Sequence, residues 1–242
     1  MLNNGKIAGF LFDNDGVILN TEEALVKINM DLLSDYNVVF DPNTRKYFSG
    51  KPDIEGLKVI IQKHGLEGKV TPEELSQRRK IVLDDWYKDA KFVPGFLDYY
   101  KSLKNEFREV IIGVASGTDP KMYNMADRKL HLRELFHNNI CLSGEAGVRH
   151  KPAPDIFLYA AGMIRVPLIK CAIWEDSPLG LASAYDAGIR KLIGYTGTLS
   201  QNDLLEATEN IIYKKLENHE DILCIDAFNS QTLEETIAYL MR

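Results

Sequence analysis

The chain has 242 residues, of which 45% are hydrophobic and 26% charged, and its formal net charge is −6. These values are ordinary for a globular protein and allow one large domain or a core with a smaller insert. The negative charge argues against a nucleic-acid-binding surface, which needs a basic stripe. A phosphorylated small molecule is not excluded, because a metal ion and a few local cations can outweigh the overall charge.

Cysteine usage and apolar segment length bear on the compartment. The 3 cysteines, Cys141, Cys171 and Cys224, are widely separated in apolar runs and do not have metal-ligand spacing. We therefore expect buried free thiols in a reducing compartment. The apolar segment 7–12 is too short for a signal-peptide core, and no run is long enough to span a membrane. The sequence thus predicts a cytoplasmic protein.

Short apolar runs typical of buried strands alternate with helical patterns along the chain. This alternation predicts an α/β fold with right-handed crossovers and a doubly wound parallel sheet. The predicted strands are 6–12, 109–115, 138–142, 170–174, 191–194 and 222–225. Predicted helices between them include 95–105, 120–130, 155–164 and 178–187.

Residues 19–91 interrupt this alternation with helical patterns only. The last of these patterns begins at Thr71-Pro72, a strong helix start. The sequence therefore predicts a small helical domain, residues 19–91, inserted into a core formed by residues 1–18 and 92–242. A helical lid beside an active site can close and exclude water.

The first predicted strand runs directly into two aspartates, Asp13 and Asp15, followed by Gly16. Because side chains alternate along a strand, both carboxylates would leave it on the same face. Carboxylates so close repel each other, so one must be protonated or both must share a cation. Gly16 permits a tight turn and lets a backbone amide approach an anion. This segment could supply a nucleophile, an acid–base partner, a metal site and an anion-binding turn.

Two further motifs carry groups that can hold a phosphate. The second predicted strand ends at Ser116-Gly117, whose hydroxyl and amides can bind phosphate oxygens, although a serine here also suits a helix cap. Lys151 precedes Pro152 in a turn that opens a helix. A lysine fixed in this way can neutralise a carboxylate nucleophile and a phosphoryl group together, although most lysines are simply solvated.

The fourth predicted strand ends in a second pair of acids, Glu175 and Asp176. Paired carboxylates suit a hard cation such as Mg²⁺, whereas capping of the next helix is the simpler interpretation of this motif taken alone. Ligands of doubly wound sheets bind beyond the carboxyl ends of the strands. Asp13, Ser116 and Asp176 all follow strands and are therefore expected to meet there.

In kind, order and spacing, the four motifs resemble those of the haloacid dehalogenase superfamily, over essentially the whole chain to about residue 198. The resemblance implies a Rossmann-like core. The predicted insert resembles the class I helical cap of the subgroup with β-phosphoglucomutase and many sugar-phosphate phosphatases. Segment 48–52 resembles the specificity loop of these caps, which makes Gly50 and Lys51 candidate substrate-specificity residues. The tail, 201–242, is less typical, and only 221–228 resembles the family's last strand.

The resemblance implies catalysis through a phosphorylated aspartate. Asp13 would attack phosphorus, and Asp15 would protonate the leaving oxygen and then activate water. Ser116, Gly117 and Lys151 would hold the transferring phosphoryl group.

The same resemblance implies Mg²⁺ as the cofactor. Its ligands would be Asp13, the backbone carbonyl of Asp15, and Asp176, with Glu175 adjacent or bound through water.

Departures from the family pattern narrow the reaction. Asp15 is present, whereas haloacid dehalogenases lack this second acid. β-Phosphoglucomutases carry a histidine where this chain has Leu25 and an arginine where it has Asp53. We therefore predict a phosphoric monoester hydrolase acting on a small phosphorylated metabolite, of the sugar- or nucleoside-phosphate type. A phosphomutase and a non-enzymatic binding protein are the alternatives.

The predicted binding partner is that metabolite. We expect the protein to bind neither nucleic acid nor a membrane, and to be a monomer or a weak homo-oligomer.

Overall fold

The computed structural model describes residues 6–41, 44, 47, 53–197, 199–214, 216 and 221–242. Its central strands are β1 (Gly9–Phe12), β2 (Ile111–Ser116), β3 (Ile140–Leu142), β4 (Cys171–Glu175), β5 (Lys191–Tyr195) and β6 (Ile222–Ile225). They form one parallel sheet with the order β3-β2-β1-β4-β5-β6. This is the doubly wound order of a Rossmann-like fold, so the predicted α/β fold class is confirmed.

Helices occupy the connections between the strands. They are α1 (Thr21–Ser34), α2 (Asp53–Lys63), α3 (Pro72–Lys88), α4 (Phe96–Glu106), α5 (Pro120–Leu130), α6 (Leu132–Leu135), α7 (Ser143–Ala146), α8 (Asp155–Ile164), α9 (Pro178–Ala187), α10 (Gln201–Ile212) and α11 (Ser230–Met241). Pro120 and Pro178 open α5 and α9, where the missing N–H is one that the first turn leaves unpaired in any case.

The sheet is buried on both faces, which explains why its strands read as continuous apolar runs. In β1, Phe10 and Phe12 face one hydrophobic cluster, and Leu11 faces the other. Phe12 stacks on Trp174 of the neighbouring β4, with 4.4 Å between the ring centroids. The central strand β1, which leads to the first acidic motif, is therefore packed on both faces and paired with a neighbouring strand on each side.

The helices α1, α2 and α3 form a small insert with a hydrophobic cluster of its own. It includes Ile28 of α1, Ile60 of α2 and Leu75 of α3, all buried. The predicted helix start at Thr71 is confirmed, since Thr71 and Glu74 form a reciprocal capping box at the beginning of α3.

The chain enters and leaves the insert through two adjacent segments. An antiparallel bridge joins Leu19 to Phe92, and the backbone N–H of Val93 donates to the carbonyl of Ile18 at 2.9 Å. The two chain connections between insert and core therefore lie side by side, next to the first acidic motif in the chain.

The C-terminal tail adds structure that the sequence analysis did not predict. Besides β6, it contains α10 and α11, whose first turns are capped by Ser200 and Asn229. The helix α11 packs against α4, where the Tyr99 hydroxyl donates to Thr236 Oγ1 at 2.7 Å. Both capping residues are visible in the sequence and could have indicated these helices.

Two properties bear on the compartment predictions. The three cysteines are free thiols, and burial raises the pKa of each to about 12. Within the ranges described above, no helix combines the length and the apolar character needed to cross a bilayer.

Candidate active site

The carboxyl ends of β1 and β4 bring three acidic side chains together. Phe12 pairs with Trp174 in the sheet, and the N–H of Asp13 continues this ladder by donating to the Trp174 carbonyl at 2.9 Å. Oxygen atoms of the Asp13, Glu175 and Asp176 carboxylates lie within 4.8 Å of one another, and all three residues are buried. The doubly wound topology therefore places the two acidic motifs side by side.

Lys151 is the cation that holds this cluster. Its Nζ donates to Oδ1 of Asp13 at 2.6 Å and also to Oε1 of Glu175, and its side chain is only 10% exposed. Burial opposes its charge, but the carboxylates of Asp13 and Glu175 outweigh burial and raise the pKa of the ammonium above its usual value. Lys151 is thus a buried member of the acidic cluster and not a solvated lysine.

Asp13 has an unusual protonation balance. Burial raises the pKa of its carboxyl to about 7, against the influence of Lys151, and the charges of Glu175 and Asp15 add to this rise. Asp13 and Glu175 thus share the ammonium of Lys151, and burial disfavours the ionised form of Asp13, which further positive charge would stabilise. A hard divalent cation bound by oxygen ligands would supply that charge, so the donor set fits a metal such as Mg²⁺.

Glu175 is oriented by protein donors on both oxygens. Oε1 accepts from Lys151, and Oε2 accepts from the N–H of Ser177 at 3.0 Å and from its hydroxyl at 2.9 Å. The start of α9 packs directly against this carboxylate, since a Cβ at Gly180 would lie 1.9 Å from Oε1. Glu175 therefore fixes the position of Lys151, which in turn holds Asp13.

Asp15 accepts hydrogen bonds from two hydroxyl groups that the sequence analysis missed. Tyr87 of α3 donates to Oδ1 at 2.5 Å, and Thr118, just beyond β2, donates to Oδ2. Tyr87 is buried, and this burial raises the pKa of its phenol well above the usual value, with the charge of Asp15 adding to the rise. The phenol therefore keeps its proton and acts as a donor.

Ser116 is linked to Asp15 through Thr118. The Ser116 and Thr118 hydroxyls lie 2.7 Å apart, and Asn14 Nδ2 donates to the Thr118 hydroxyl at 3.2 Å. Because the single hydroxyl hydrogen of Thr118 points at the Asp15 carboxylate, Ser116 must be the donor to Thr118. Ser116 is buried at 1% exposure, so its hydroxyl serves this network in the structure as it stands.

A cavity of about 390 Å³ opens between the core and the insert. Its core side includes Asp15, Gly117 and Thr118, and its insert side includes Arg79 and Tyr87 of α3. The volume lies at the lower end of the range usual for small-molecule sites. The catalytic candidate Asp15 thus faces a chamber whose opposite wall belongs to the insert.

The insert wall contains one buried cation. Arg79 donates from Nη1 to Asp53 Oδ1 at 2.7 Å and from Nη2 to Asn29 Oδ1 at 2.6 Å. Burial lowers the pKa of this guanidinium, although Asp53 opposes the shift. Asp53, at the position where mutases carry an arginine, is therefore the partner of an arginine from another helix.

The structure brings Asp13, Lys151, Glu175 and Asp176 into one cluster. Asp15 and Gly117 lie on the adjoining cavity, and Ser116 lies behind them. The predicted specificity residues Gly50 and Lys51 lie outside the described residues. Thr118 lies two positions after Ser116, and this spacing was the one feature of the sequence that could have indicated its place in the site.

Comparisons with known proteins show which family the chain resembles. A family described as haloacid dehalogenase-like hydrolase matches residues 10–193. The (DL)-glycerol-3-phosphatase 2 of Arabidopsis thaliana is 28% identical over 189 residues, which are 76% of this chain and 78% of the plant protein. The beta-phosphoglucomutase of Bacillus subtilis is 29% identical over 185 residues, 74% of this chain and 79% of the mutase.

Among solved structures, a haloacid dehalogenase-like protein of unknown function from Agrobacterium tumefaciens has a TM-score of 0.77 at 22% identity. The match covers 98% of this chain and 100% of that one, and it shows a common fold.

Proposed function

The chain belongs to the haloacid dehalogenase-like hydrolases, and from this premise we propose that it is a phosphatase of small phosphorylated metabolites. It uses Mg²⁺ and an aspartyl-phosphate intermediate, and its substrate is of the sugar- or nucleoside-phosphate type. The observation that carries the proposal is the arrangement of the two aspartates. Asp13 is bound to Lys151 in a buried acidic cluster, while Asp15 faces the cavity with hydroxyl donors on both oxygens.

Asp13 is the nucleophile. Lys151 holds Oδ1 at 2.6 Å, so we assign the attack on phosphorus to Oδ2. The attack forms an O–P bond to Asp13 and breaks the bond to the leaving oxygen, which divides one difficult displacement into two easier ones. The ammonium of Lys151, fixed by Glu175, stays beside the nucleophile and stabilises the charge of the phosphoryl oxygens.

Asp15 is the acid–base residue. In the first step it gives a proton to the leaving oxygen, and in the second it takes a proton from the water that hydrolyses the aspartyl phosphate. Its place on the cavity wall supports this role, because the leaving group must occupy that chamber. The amide of Gly117, on the cavity wall, and the hydroxyl of Ser116 complete the proposed phosphoryl site, and Ser116 would give up its hydrogen bond to Thr118 in order to donate there.

The metal belongs to the acidic cluster. Asp13, Asp176 and the backbone carbonyl of Asp15 would hold Mg²⁺, with Glu175 adjacent or linked through water. When bound, the ion supplies positive charge that neutralises the phosphoryl oxygens and keeps the nucleophile ionised. The raised pKa of Asp13 supports this assignment, because burial and the charges of Glu175 and Asp15 disfavour the ionised carboxylate, which a bound cation would stabilise.

The substrate is selected by the insert. Residues 19–91 act as a cap domain over a core of residues 1–18 and 92–242, and Gly50 and Lys51 belong to its specificity loop. Asp53 begins α2 on the cavity wall, only two positions after Lys51, which supports this placement. The protein acts in the cytoplasm, as a monomer or weak homo-oligomer.

The test is phosphate release from a panel of sugar phosphates, nucleoside monophosphates and polyol phosphates, with Mg²⁺ or with EDTA. We expect Mg²⁺-dependent release from at least one of these esters, and none by Asp13→Asn. Conversion of a sugar phosphate to its isomer without net phosphate release would indicate a phosphomutase instead. Failure to act on any ester would contradict the proposed function.

A further inference from the structure

The carboxylate of Asp15 is held from two sides by different parts of the molecule. Thr118 belongs to the core and donates to Oδ2, while Tyr87 belongs to α3 of the insert and donates to Oδ1 at 2.5 Å. A carboxylate on a cavity wall can rotate about its last bond unless both oxygens are held. The two donors therefore define one orientation, and that orientation requires the insert.

The core donor is fixed independently of the insert. Thr118 receives a hydrogen bond from Asn14 and lies 2.7 Å from Ser116, and its own N–H donates to the Ser116 hydroxyl at 3.1 Å. These contacts all come from residues at or just beyond the carboxyl ends of β1 and β2. Thr118 thus stays in place whatever the insert does.

The insert donor is placed by the docking of α3 on the core. The helix contacts α5, and two ion pairs flank Tyr87, namely Asp84 with Lys121 at 2.7 Å and Asp89 with Lys129. Tyr87 itself is 4% exposed. The hydroxyl therefore reaches Asp15 only when α3 lies against α5.

We propose that Tyr87 is a positioning residue that links the insert to acid–base catalysis by orienting Asp15 toward the leaving oxygen. The inference rests on the proposed phosphatase function. Oδ1 of Asp15 has a second lone pair besides the one that Tyr87 occupies, and that site serves the proton passed to the leaving oxygen. The proton moves between Asp15 and the leaving oxygen, and Tyr87 keeps its own.

The test is Tyr87→Phe, which removes the hydroxyl and keeps the ring. An alkyl phosphate needs its leaving oxygen protonated, whereas p-nitrophenyl phosphate hardly does, so the two substrates report on Asp15 differently. We expect kcat for the alkyl ester to fall by roughly 10- to 100-fold, the usual effect of one hydrogen bond to a charged group. We expect kcat for the aryl ester to change less than about twofold and KM to stay constant for both.

A double-mutant cycle separates positioning from a general structural effect. In an Asp15→Asn background, Tyr87→Phe should cause no further loss on the alkyl ester, because the group that it positions is gone. The matched control is Tyr100→Phe, which removes a buried hydroxyl that donates to the Leu135 carbonyl at 2.9 Å, away from Asp15. Tyr100→Phe should change neither kcat nor KM for either ester.

A second variant tests the docking of α3 without touching the site. Lys121→Ala breaks the partly exposed ion pair with Asp84 and should cause at most a slight loss, which is again selective for the alkyl ester. Equal losses on both esters, or additive losses in the double mutant, would overturn the role of Tyr87 while the phosphatase function stands. A wild-type enzyme that hydrolyses neither ester would overturn both.

Discussion

The core and the insert hold their charged groups in different ways. In the core, Lys151 joins carboxylates that are 138 and 24 residues away in the chain, and all three partners are nearly inaccessible to solvent. In the insert, Arg79 is buried, but its partner Asp53 is 44% exposed. The core thus concentrates charge where water cannot relieve it, while the insert keeps its buried cation close to solvent.

This difference in burial suggests that the core carries out the chemistry and that the insert selects the substrate. Buried groups with strongly shifted pKa values are candidates for catalysis and metal binding, and the raised pKa of Asp13 makes its cluster such a candidate. Asp53, which is 44% exposed on the cavity wall, can exchange its protein partner for a ligand more easily than the buried core groups can. We therefore expect changes in the core to act mainly on chemistry and changes in the insert mainly on substrate preference and on the positioning of Asp15.

The strongest test of this division removes one carboxylate from each region. Asp13→Asn should reduce turnover by roughly 10⁴-fold or more, since an amide cannot attack phosphorus. Asp35→Asn in the insert removes a carboxylate that pairs with Arg78 on the surface, and such pairs contribute little. Its turnover should match the wild type. Initial rates on p-nitrophenyl phosphate measure both, and substantial activity of Asp13→Asn would refute the assigned nucleophile.

The next largest effect concerns Asp15, which lies where the two regions meet. Asp15→Asn should slow hydrolysis of an alkyl phosphate by about 10²–10⁴-fold, because neither the leaving oxygen nor the attacking water has its proton partner. An aryl phosphate should lose less in its first step. Steady-state rates on both esters check this, and equal activity of variant and wild type on the alkyl ester would count against the acid–base role.

The charge balance of the core predicts how stability depends on pH and on metal. Burial raises the pKa of Asp13 to about 7 from its ordinary 3.8, so between these pH values the folded protein binds a proton that the unfolded chain releases. The contribution of this group to stability is therefore largest below about pH 4 and falls as the pH rises towards about 7. Mg²⁺ bound by the ionised carboxylate should reverse that loss.

Thermal unfolding measures this effect. Addition of Mg²⁺ should raise Tm by a few degrees at pH 8 and by clearly less at pH 5. In Asp13→Asn the difference between the two pH values should disappear. An equal rise at both pH values in the wild type would mean that the ion binds elsewhere.

The same division decides what the sequence could predict. Asp13, Ser116 and Glu175 follow or end apolar runs, and the edge where parallel strands end gathers such residues whatever their separation along the chain. Tyr87 and Arg79 lie on α3, whose pattern indicates a helix but not which neighbour each face meets. Their contacts depend on how α3 docks on α5 and α1, and no local pattern contains that information. The roles of all these residues stay predictions until the variants are measured.

The smallest expected effect concerns Lys51, in the segment that leads into α2. As a proposed specificity residue, Lys51 would bind a polar or anionic part of the substrate away from the transferring phosphoryl group. Lys51→Ala should raise KM for the physiological ester severalfold and leave p-nitrophenyl phosphate almost unchanged, since remote binding energy exists only for substrates that have the remote group. Lys58→Ala, an exposed lysine further along α2, is the matched control and should alter neither. If KM rises equally for both esters, Lys51 contacts the phosphoryl group. If KM for the physiological ester is unchanged, Lys51 does not select the substrate, and the residues of α3 that line the cavity must do so.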